Sequence, residues 1–342
     1  MGEAVAGATK GEASRLARDG TLRIGVVGAG VMGSNHARVL SELPGVQLAG
    51  VVDPDQNRRD FVAKGLRCAT FVELDELIDA NVDAVTIAAP THLHRDIAIE
   101  CASRGIHVLV EKPIASTIEE GHAIVAAARR YGITLMAGHV ERFNPAVEAL
   151  KRAIQDQSIL SIAITRVGPF PPRMSNVGVV IDLAVHDIDL IRWFTDSEIV
   201  EIQPQTSSAV AEREDIALLQ FRTASGVLAH INTNWLTPFK ARTINIATRD
   251  KYLMADLLTL QVTECFGFQP DGSYSMRHLS VGYAEPLRAE LQAFINAVRS
   301  GAKPAVTGEE GVASLEIAIR CLTSRGAQSA APERKGPRRV AG

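Results

Sequence analysis

From residue 22 onward, predominantly apolar residues come in short runs, at 22–27, 46–52, 84–88, 106–110 and 133–136, separated by stretches with helical spacing. Such runs without strict alternation suit strands covered on both faces, because crossover helices flank a parallel sheet. The pattern predicts an α/β doubly wound Rossmann sheet over residues 21–140. After Gly138 the rhythm changes: a helix is predicted over 145–154, then longer alternating runs at 161–166, 216–222, 227–234, 243–248 and 251–256. Ala224-Ser225-Gly226 between two of them reads as a hairpin turn, so these strands are expected to be antiparallel. Residues 141–326 are therefore predicted to form an α+β domain on a large, mainly antiparallel sheet, one face covered by helices and one open. Apolar residues on an open face are most readily covered by a second copy, so a homodimer or homotetramer is expected.

The ends differ from this body. Residues 1–20 are small and charged without an apolar stretch, and 327–342 are basic and interrupted by Pro and Gly. Both are predicted to be disordered. No stretch is apolar enough to span a bilayer, and a net charge of −3 gives no field that would recruit nucleic acid or a membrane surface. A cytoplasmic protein with a small polar substrate is expected. Cys68, Cys101, Cys265 and Cys321 lie far apart with no CxxC pair, which argues against a disulfide framework and a structural zinc site. No HExxH or comparable cluster points to a metal.

The chemistry begins at Gly28-Ala29-Gly30-Val31-Met32-Gly33, which follows the first apolar run and opens a helical segment. In that context the glycines permit a tight turn and close approach to a dinucleotide pyrophosphate, whose charge the helix N-terminus favours. Asp53 ends the second run 20 residues beyond Gly33. A carboxylate there accepts hydrogen bonds from ribose hydroxyls and repels a 2′-phosphate, so NAD is the expected cofactor. Arg58 and Arg59 could accommodate that phosphate or lie on a solvated helix face. Ala89-Pro90-Thr91 falls where the strand order reverses, and His94 beyond it either touches the cofactor or caps the next helix.

Glu111-Lys112-Pro113 closes the next run at the same sheet edge, where a lysine can reach the nicotinamide ribose and a developing alkoxide. Asp182 and His186 are four apart in a segment that scans as a helix, which predicts both side chains on one face. Asp182 is expected to orient His186 and raise its basicity, making the histidine the base that takes a hydroxyl proton. Arg142, Arg166, Arg173, Lys240 and Arg242 are candidate donors to a diphosphate, with surface solvation the alternative for each. Trp235 either stacks on a sugar or uracil ring or belongs to a core or interface.

With these elements in order, the chain over residues 21–326 resembles the Gfo/Idh/MocA family of NAD(P)-dependent sugar and cyclitol dehydrogenases. Its GxGxxG, Glu111-Lys112-Pro113 and Asp182/His186 elements match that family's cofactor, lysine and histidine motifs. The stretches Gly138-His139-Val140-Glu141-Arg142-Phe143-Asn144-Pro145, Arg166 to Arg173, and Asn234-Trp235-Leu236-Thr237-Pro238 are similar to the branch that holds the UDP-N-acetylglucosamine 3-dehydrogenases. The resemblance implies oxidation of a UDP-sugar C3 hydroxyl to a ketone, with Asn144 among the substrate-binding residues and a PLP aminotransferase as a possible partner for the product. An inositol or free-sugar dehydrogenase with the same catalytic pair is the alternative enzyme. A non-catalytic NAD-sensing protein is the alternative of another class, and the presence of both Lys112 and His186 argues against it.

Overall fold

A computed structural model describes residues 20–171 and 177–324. The predicted leader, except Gly20, the predicted tail and Arg173 lie outside the described residues. The first half runs β1 (Leu22–Val27), α1 (Val31–Glu42), β2 (Val46–Val52), α2 (Gln56–Leu66), β3 (Thr70–Phe71), α3 (Leu74–Asp79), β4 (Ala84–Ile87), α4 (His94–Ser103), β5 (His107–Glu111), α5 (Ile118–Tyr131) and β6 (Leu135–Gly138). Its strands form one parallel sheet in the order β3-β2-β1-β4-β5-β6. Leu22, Ile24, Val26, Val85, Ile87, Val108 and Leu109 have no exposed surface, as strands covered on both faces require. The reversal of order between β1 and β4 opens a crevice at the carboxyl ends of the strands.

The second half runs α6 (Pro145–Ala153), β7 (Ile159–Pro169), α7 (Val185–Thr195), β8 (Ile199–Ser207), β9 (Ile216–Thr223), β10 (Leu228–Asn234), β11 (Leu236–Thr248), β12 (Lys251–Asp256), β13 (Gln261–Phe266) and β14 (Ser275–Leu279), then α8 (Pro286–Ser300) and α9 (Gly308–Thr323). The eight strands are ordered β14-β13-β12-β11-β7-β10-β9-β8. All neighbours are antiparallel except β7 and β10, which run parallel. The 224–226 turn joins antiparallel β9 and β10, with Gly226 at φ +88° supplying the left-handed residue. On β9, Ala217, Leu219 and Phe221 are buried in the core shared with α6, α7 and the end of α9, while Leu218 between them is half exposed. Leu228 on β10, Met254 on β12 and Met276 on β14 are also exposed, so the uncovered face carries apolar side chains.

The last two helices return to the first sheet. Leu287, Leu291, Phe294 and Ile295 of α8 and Val312 and Leu315 of α9 join the core of the parallel sheet, whereas Ile317, Ala318 and Cys321 of α9 reach the second core. A capping box starts α9: Thr307 Oγ1 accepts from the Glu310 amide while the Glu310 carboxylate accepts from the Thr307 amide. This helix bridges the two cores and holds the site between them. Among the described residues no helix is long and apolar enough to cross a membrane.

Candidate active site

The glycine loop is dictated by contacts that leave no room for side chains. Gly28 has φ +98°, and a Cβ there would stand 2.7 Å from the Ala88 carbonyl oxygen; a Cβ on Gly33 would stand 1.7 Å from the Gly28 oxygen. The loop is pinned from behind, since the Gly28 amide donates to Val52 O at 2.7 Å and the Ala29 amide to Asp53 Oδ2 at 2.7 Å. Gly30 caps α1 with no side-chain hydrogen bond, so no side chain claims the first-turn amides of Val31, Met32 and Gly33, and Val31 and Met32 are exposed. Uncapped amides at the positive end of a helix, reached over a loop without side chains, fit the pyrophosphate of a dinucleotide.

Asp53 is buried at the end of β2, its Oδ1 accepting from the Asp55 amide at 2.9 Å. It therefore braces the glycine loop as well as standing at the ribose position. Arg58, half exposed, reaches Asp53 Oδ2 at 3.7 Å. Arg59 does not lie on a solvated face: it is buried and donates to the Asp53 carbonyl at 2.6 Å and to the Gln56 side chain, because α2 turns that position toward the strand end. At the strand-order reversal, Ala89, Pro90 and Thr91 lead into α4, whose first residue His94 is buried with ring nitrogens 2.9 Å from Ala89 O and 3.1 Å from Pro113 O. Burial lowers His94 below the usual histidine range while the two carbonyls work against it. A neutral ring, with a single N–H, donates to one of these carbonyls and only packs against the other.

At the end of β5 the Glu111 carboxylate turns inward, accepting from the Lys112 amide at 3.2 Å and meeting His36 Nε2 of α1 at 2.9 Å. Lys112 points the other way. Its Nζ donates to the carbonyl oxygen of Asp182 at 2.7 Å and to Asp182 Oδ1 at 3.2 Å, bonding the first sheet's edge to the segment that precedes α7. Two of three N–H donors are thus used and one is left.

The expected Asp182–His186 pairing is not made. Residues Val180–Ala184 form a single π-helical turn before α7, which changes the angular step between the two side chains and gives Asp182 to Lys112. His186 is buried, and its Nδ1 has no hydrogen-bond partner among the described residues. Its basicity is lowered rather than raised: burial first, then the charges of Lys112, Arg166, His139 and Arg242, hold it well below the ordinary value of 6.5. The imidazole is therefore neutral at pH 7, the form that accepts a proton. His139, just after β6, packs edge-on to it with ring centroids 6.1 Å apart, and its own Nδ1 also lacks a partner. The sequence reading gave His139 no role, although a histidine immediately beyond a buried strand end at the sheet's carboxyl edge is the local signal for one.

The arginines assigned to a diphosphate are occupied. Arg142 is buried, bidentate to Asp189 at 2.7 Å for each bond, with Glu310 at 2.9 Å. Arg166 is buried between Asp187 and Glu141, both at 2.7 Å. Burial works against its charge, but Asp187 and Glu141 outweigh this and push Arg166 above its ordinary range. Asn144 is likewise structural: buried, it caps α6 by accepting from the Ala146 amide at 3.0 Å and donates to Leu257 O at 3.2 Å. Trp235 is buried edge-on against Phe170, with centroids 5.7 Å apart, so its ring belongs to the core. Arg242, partly exposed with Nη1 3.1 Å from Glu141, and exposed Lys240 remain as cations on β11.

Residues 22–139 match the family model described as an oxidoreductase family with an NAD-binding Rossmann fold, and 164–252 match the GFO/IDH/MocA C-terminal domain. The chain is 32% identical over 281 residues to UDP-N-acetylglucosamine 3-dehydrogenase of Acidithiobacillus ferrooxidans, covering 81% of this chain and 88% of that one. A solved structure of that enzyme superposes with TM-score 0.82 at 30% identity, covering 88% of this chain and 96% of the other. Inositol 2-dehydrogenase 1 of Saccharopolyspora erythraea is 30% identical over 326 residues, 89% of this chain and 94% of that one. The glycine cradle, the lysine and the histidine thus stand on a scaffold shared along nearly the whole length of these relatives, and the chain belongs to the Gfo/Idh/MocA family of NAD-dependent dehydrogenases that act on CH–OH groups.

Proposed function

We propose that the chain oxidises the C3 hydroxyl of UDP-N-acetylglucosamine, or of a close UDP-sugar, to the 3-keto sugar, whose ketone a PLP aminotransferase could then aminate. The observation that carries the reading is that Lys112, at the carboxyl edge of the parallel sheet, bonds the segment leading into α7, on which a buried, neutral His186 lies within the field of its charge. Bound NAD supplies the carbon that accepts the hydride. His186 takes the hydroxyl proton, and Lys112, held by Asp182, directs its remaining N–H at the oxygen as negative charge develops. Asp53 favours NAD over NADP by presenting a carboxylate where a 2′-phosphate would lie. The nucleotide-sugar choice is supported by the similarity to the Acidithiobacillus enzyme.

A specific observation favours a second reading. Arg142 and Arg166 are committed to carboxylates, which among the described residues leaves, of the candidate donors, Arg242 and Lys240 on β11 for a diphosphate. Fewer free cations suit an inositol or a free sugar. Incubating the protein with NAD and UDP-N-acetylglucosamine, free N-acetylglucosamine or myo-inositol, with glutamate and an aminotransferase to trap the ketone, separates the readings. NADH formation is expected with the UDP-sugar. A preference for myo-inositol replaces the first reading by the second, and no NADH with any alcohol points to an NAD-sensing protein.

A further inference from the structure

Beneath the glycine loop, three elements bring together three buried titratable groups that the proposed chemistry does not use directly. They are His36 from α1, Glu111 from the end of β5 and Glu290 from α8, and their nearest ligand atoms lie within 4.8 Å of one another. Glu290 has no exposed surface, and among the described residues neither of its carboxyl oxygens has a hydrogen-bond partner, nor has His36 Nδ1. We propose that Glu290 is present as the neutral acid beside an ionised Glu111, and that the triad serves as a positioning network for Lys112.

Two ionised carboxylates this close need a counter-ion, and the surrounding charges are engaged elsewhere. On α1 and α8, Arg38 pairs with Glu285 and Arg288 with Glu42. In the turn Val140–Phe143, Glu141 pairs with Arg166 and Arg242, and Arg142 with Asp189 and Glu310. His139 stands 3.8 Å from Asp189, and Lys112 holds Asp182. Protonating one carboxyl costs less than burying it charged and unpaired.

The two glutamates diverge for identifiable reasons. Burial would raise Glu111, but the His36 hydrogen bond and the charges of His36 and Lys112 outweigh it and keep this carboxylate below its usual range. Glu290 has no such partner; burial, then the negative charge of Glu111, hold it well above the usual carboxylate range. Chemically the three residues could also hold a divalent ion. However, His36 Nε2 and Glu111 Oε1 are 2.9 Å apart. Two ligands on one tetrahedral zinc with bonds of about 2.0 Å stand about 3.3 Å apart. The separation fits a hydrogen bond and is short for tetrahedral zinc, whereas cis ligands of an octahedral ion with bonds of about 2.0–2.1 Å would stand about 2.8–3.0 Å apart, the case that a metal analysis decides.

The consequence reaches the lysine because the Lys112 amide donates to Glu111 Oε2. As pH rises and Glu290 ionises, a second negative charge appears against Glu111, and the seat of Lys112 is disturbed. The kinetic part of this argument rests on the dehydrogenase reading; the protonation state does not.

Infrared difference spectra between the wild-type protein and Glu290→Gln test the protonation state without any substrate. At neutral pH the wild type should show a carboxylic-acid C=O band that the variant lacks, and a carboxylate band from Glu290 in its place would overturn the proposal. Elemental analysis of the purified full chain is the second measurement. One equivalent of a divalent metal, lost on Glu290→Gln, would replace the Glu290 proton by a metal centre and also overturn it. On whichever alcohol yields NADH, the wild-type kcat should fall on the alkaline side, and Glu290→Gln, which keeps a neutral hydrogen-bonding group, should lose that fall. Glu290→Ala should lower kcat where Gln restores it. Superimposable wild-type and Glu290→Gln profiles would refute the link to Lys112.

Discussion

Two buried polar layers meet at this site, and they differ in whether their groups find partners within the fold. In the arginine layer each charge is matched: Arg166 with Asp187 and Glu141, Arg142 with Asp189 and Glu310. In the histidine layer, His186 and His139 pack edge to face, each with an unpartnered Nδ1. Burial makes unmatched polarity costly, so a matched layer reads as structure and an unmatched one as a place where a ligand completes the bonding. Sequence reasoning assigned the roles the other way for part of the site, giving the arginines to substrate and pairing His186 with Asp182.

The largest expected effect tests the unmatched layer. His186→Ala should lower turnover by roughly 10² to 10⁴, the range for losing a general base, while NAD binding changes little because the glycine loop is untouched. The wild-type pH profile follows from the same burial. Catalysis needs the neutral ring, and the ring is held well below 6.5, so the acid limb of kcat/KM should fall below pH 6.5 with activity level above it as far as this histidine is concerned. Stability moves in the same sense: the unfolded chain takes up the proton first, so the contribution of His186 is lost as pH falls below 6.5 toward the folded value. Near-normal turnover in His186→Ala would move the base elsewhere, with Lys112 first in line.

Next comes the matched layer. Arg166→Met keeps volume but leaves Asp187 without its cation and Glu141 with Arg242 alone. Removing one partner of a buried ion pair costs about 3–5 kcal/mol, and denaturant unfolding should show a loss of that order. A variant that stays within about 1 kcal/mol of wild type yet binds UDP-sugar poorly would return Arg166 to the substrate.

The contrast explains what the chain discloses before it is folded. The parallel sheet, the glycine turn and the lysine at a strand end were legible because each depends on a run of a few adjacent residues: strands predicted at 22–27 and 46–52 match β1 and β2, and the switch-point loop falls where expected. Arginine partners are different. Asp189 lies 47 residues from Arg142, Glu310 lies 168 away, and Asp187 lies 21 from Arg166, separations that no local pattern encodes. Glu290 escaped notice for the same reason, since only the return of α8 to the first core brings it to Glu111. Strand β14 has no buried side chain, so the alternation that revealed β9 and β10 was missing there, and the parallel pairing of β10 with β7 depends on strand order rather than on either strand's sequence.

The smallest effect is the most discriminating, because it separates the observed partner of Asp182 from the expected one. Asp182→Asn removes the carboxylate that meets Lys112 Nζ at 3.2 Å but keeps the backbone carbonyl at 2.7 Å, so the lysine retains its shorter anchor. The asparagine amide oxygen can still accept from the ammonium, so the change amounts to weakening one hydrogen bond, worth about 1 kcal/mol net. Turnover should therefore fall by no more than roughly fivefold, since a factor of ten corresponds to about 1.4 kcal/mol. The acid limb of the pH profile decides the point. Asp182 does not touch His186, and among the largest influences on the histidine are burial and the charge of Lys112, which the substitution leaves in place. The limb should stay where it is in the wild type. Had Asp182 been the group that orients the imidazole and stabilises its charge, Asp182→Asn would move that limb to lower pH and cut turnover as deeply as His186→Ala; that outcome would show that the carboxylate swings from Lys112 to His186 when substrate and NAD are bound.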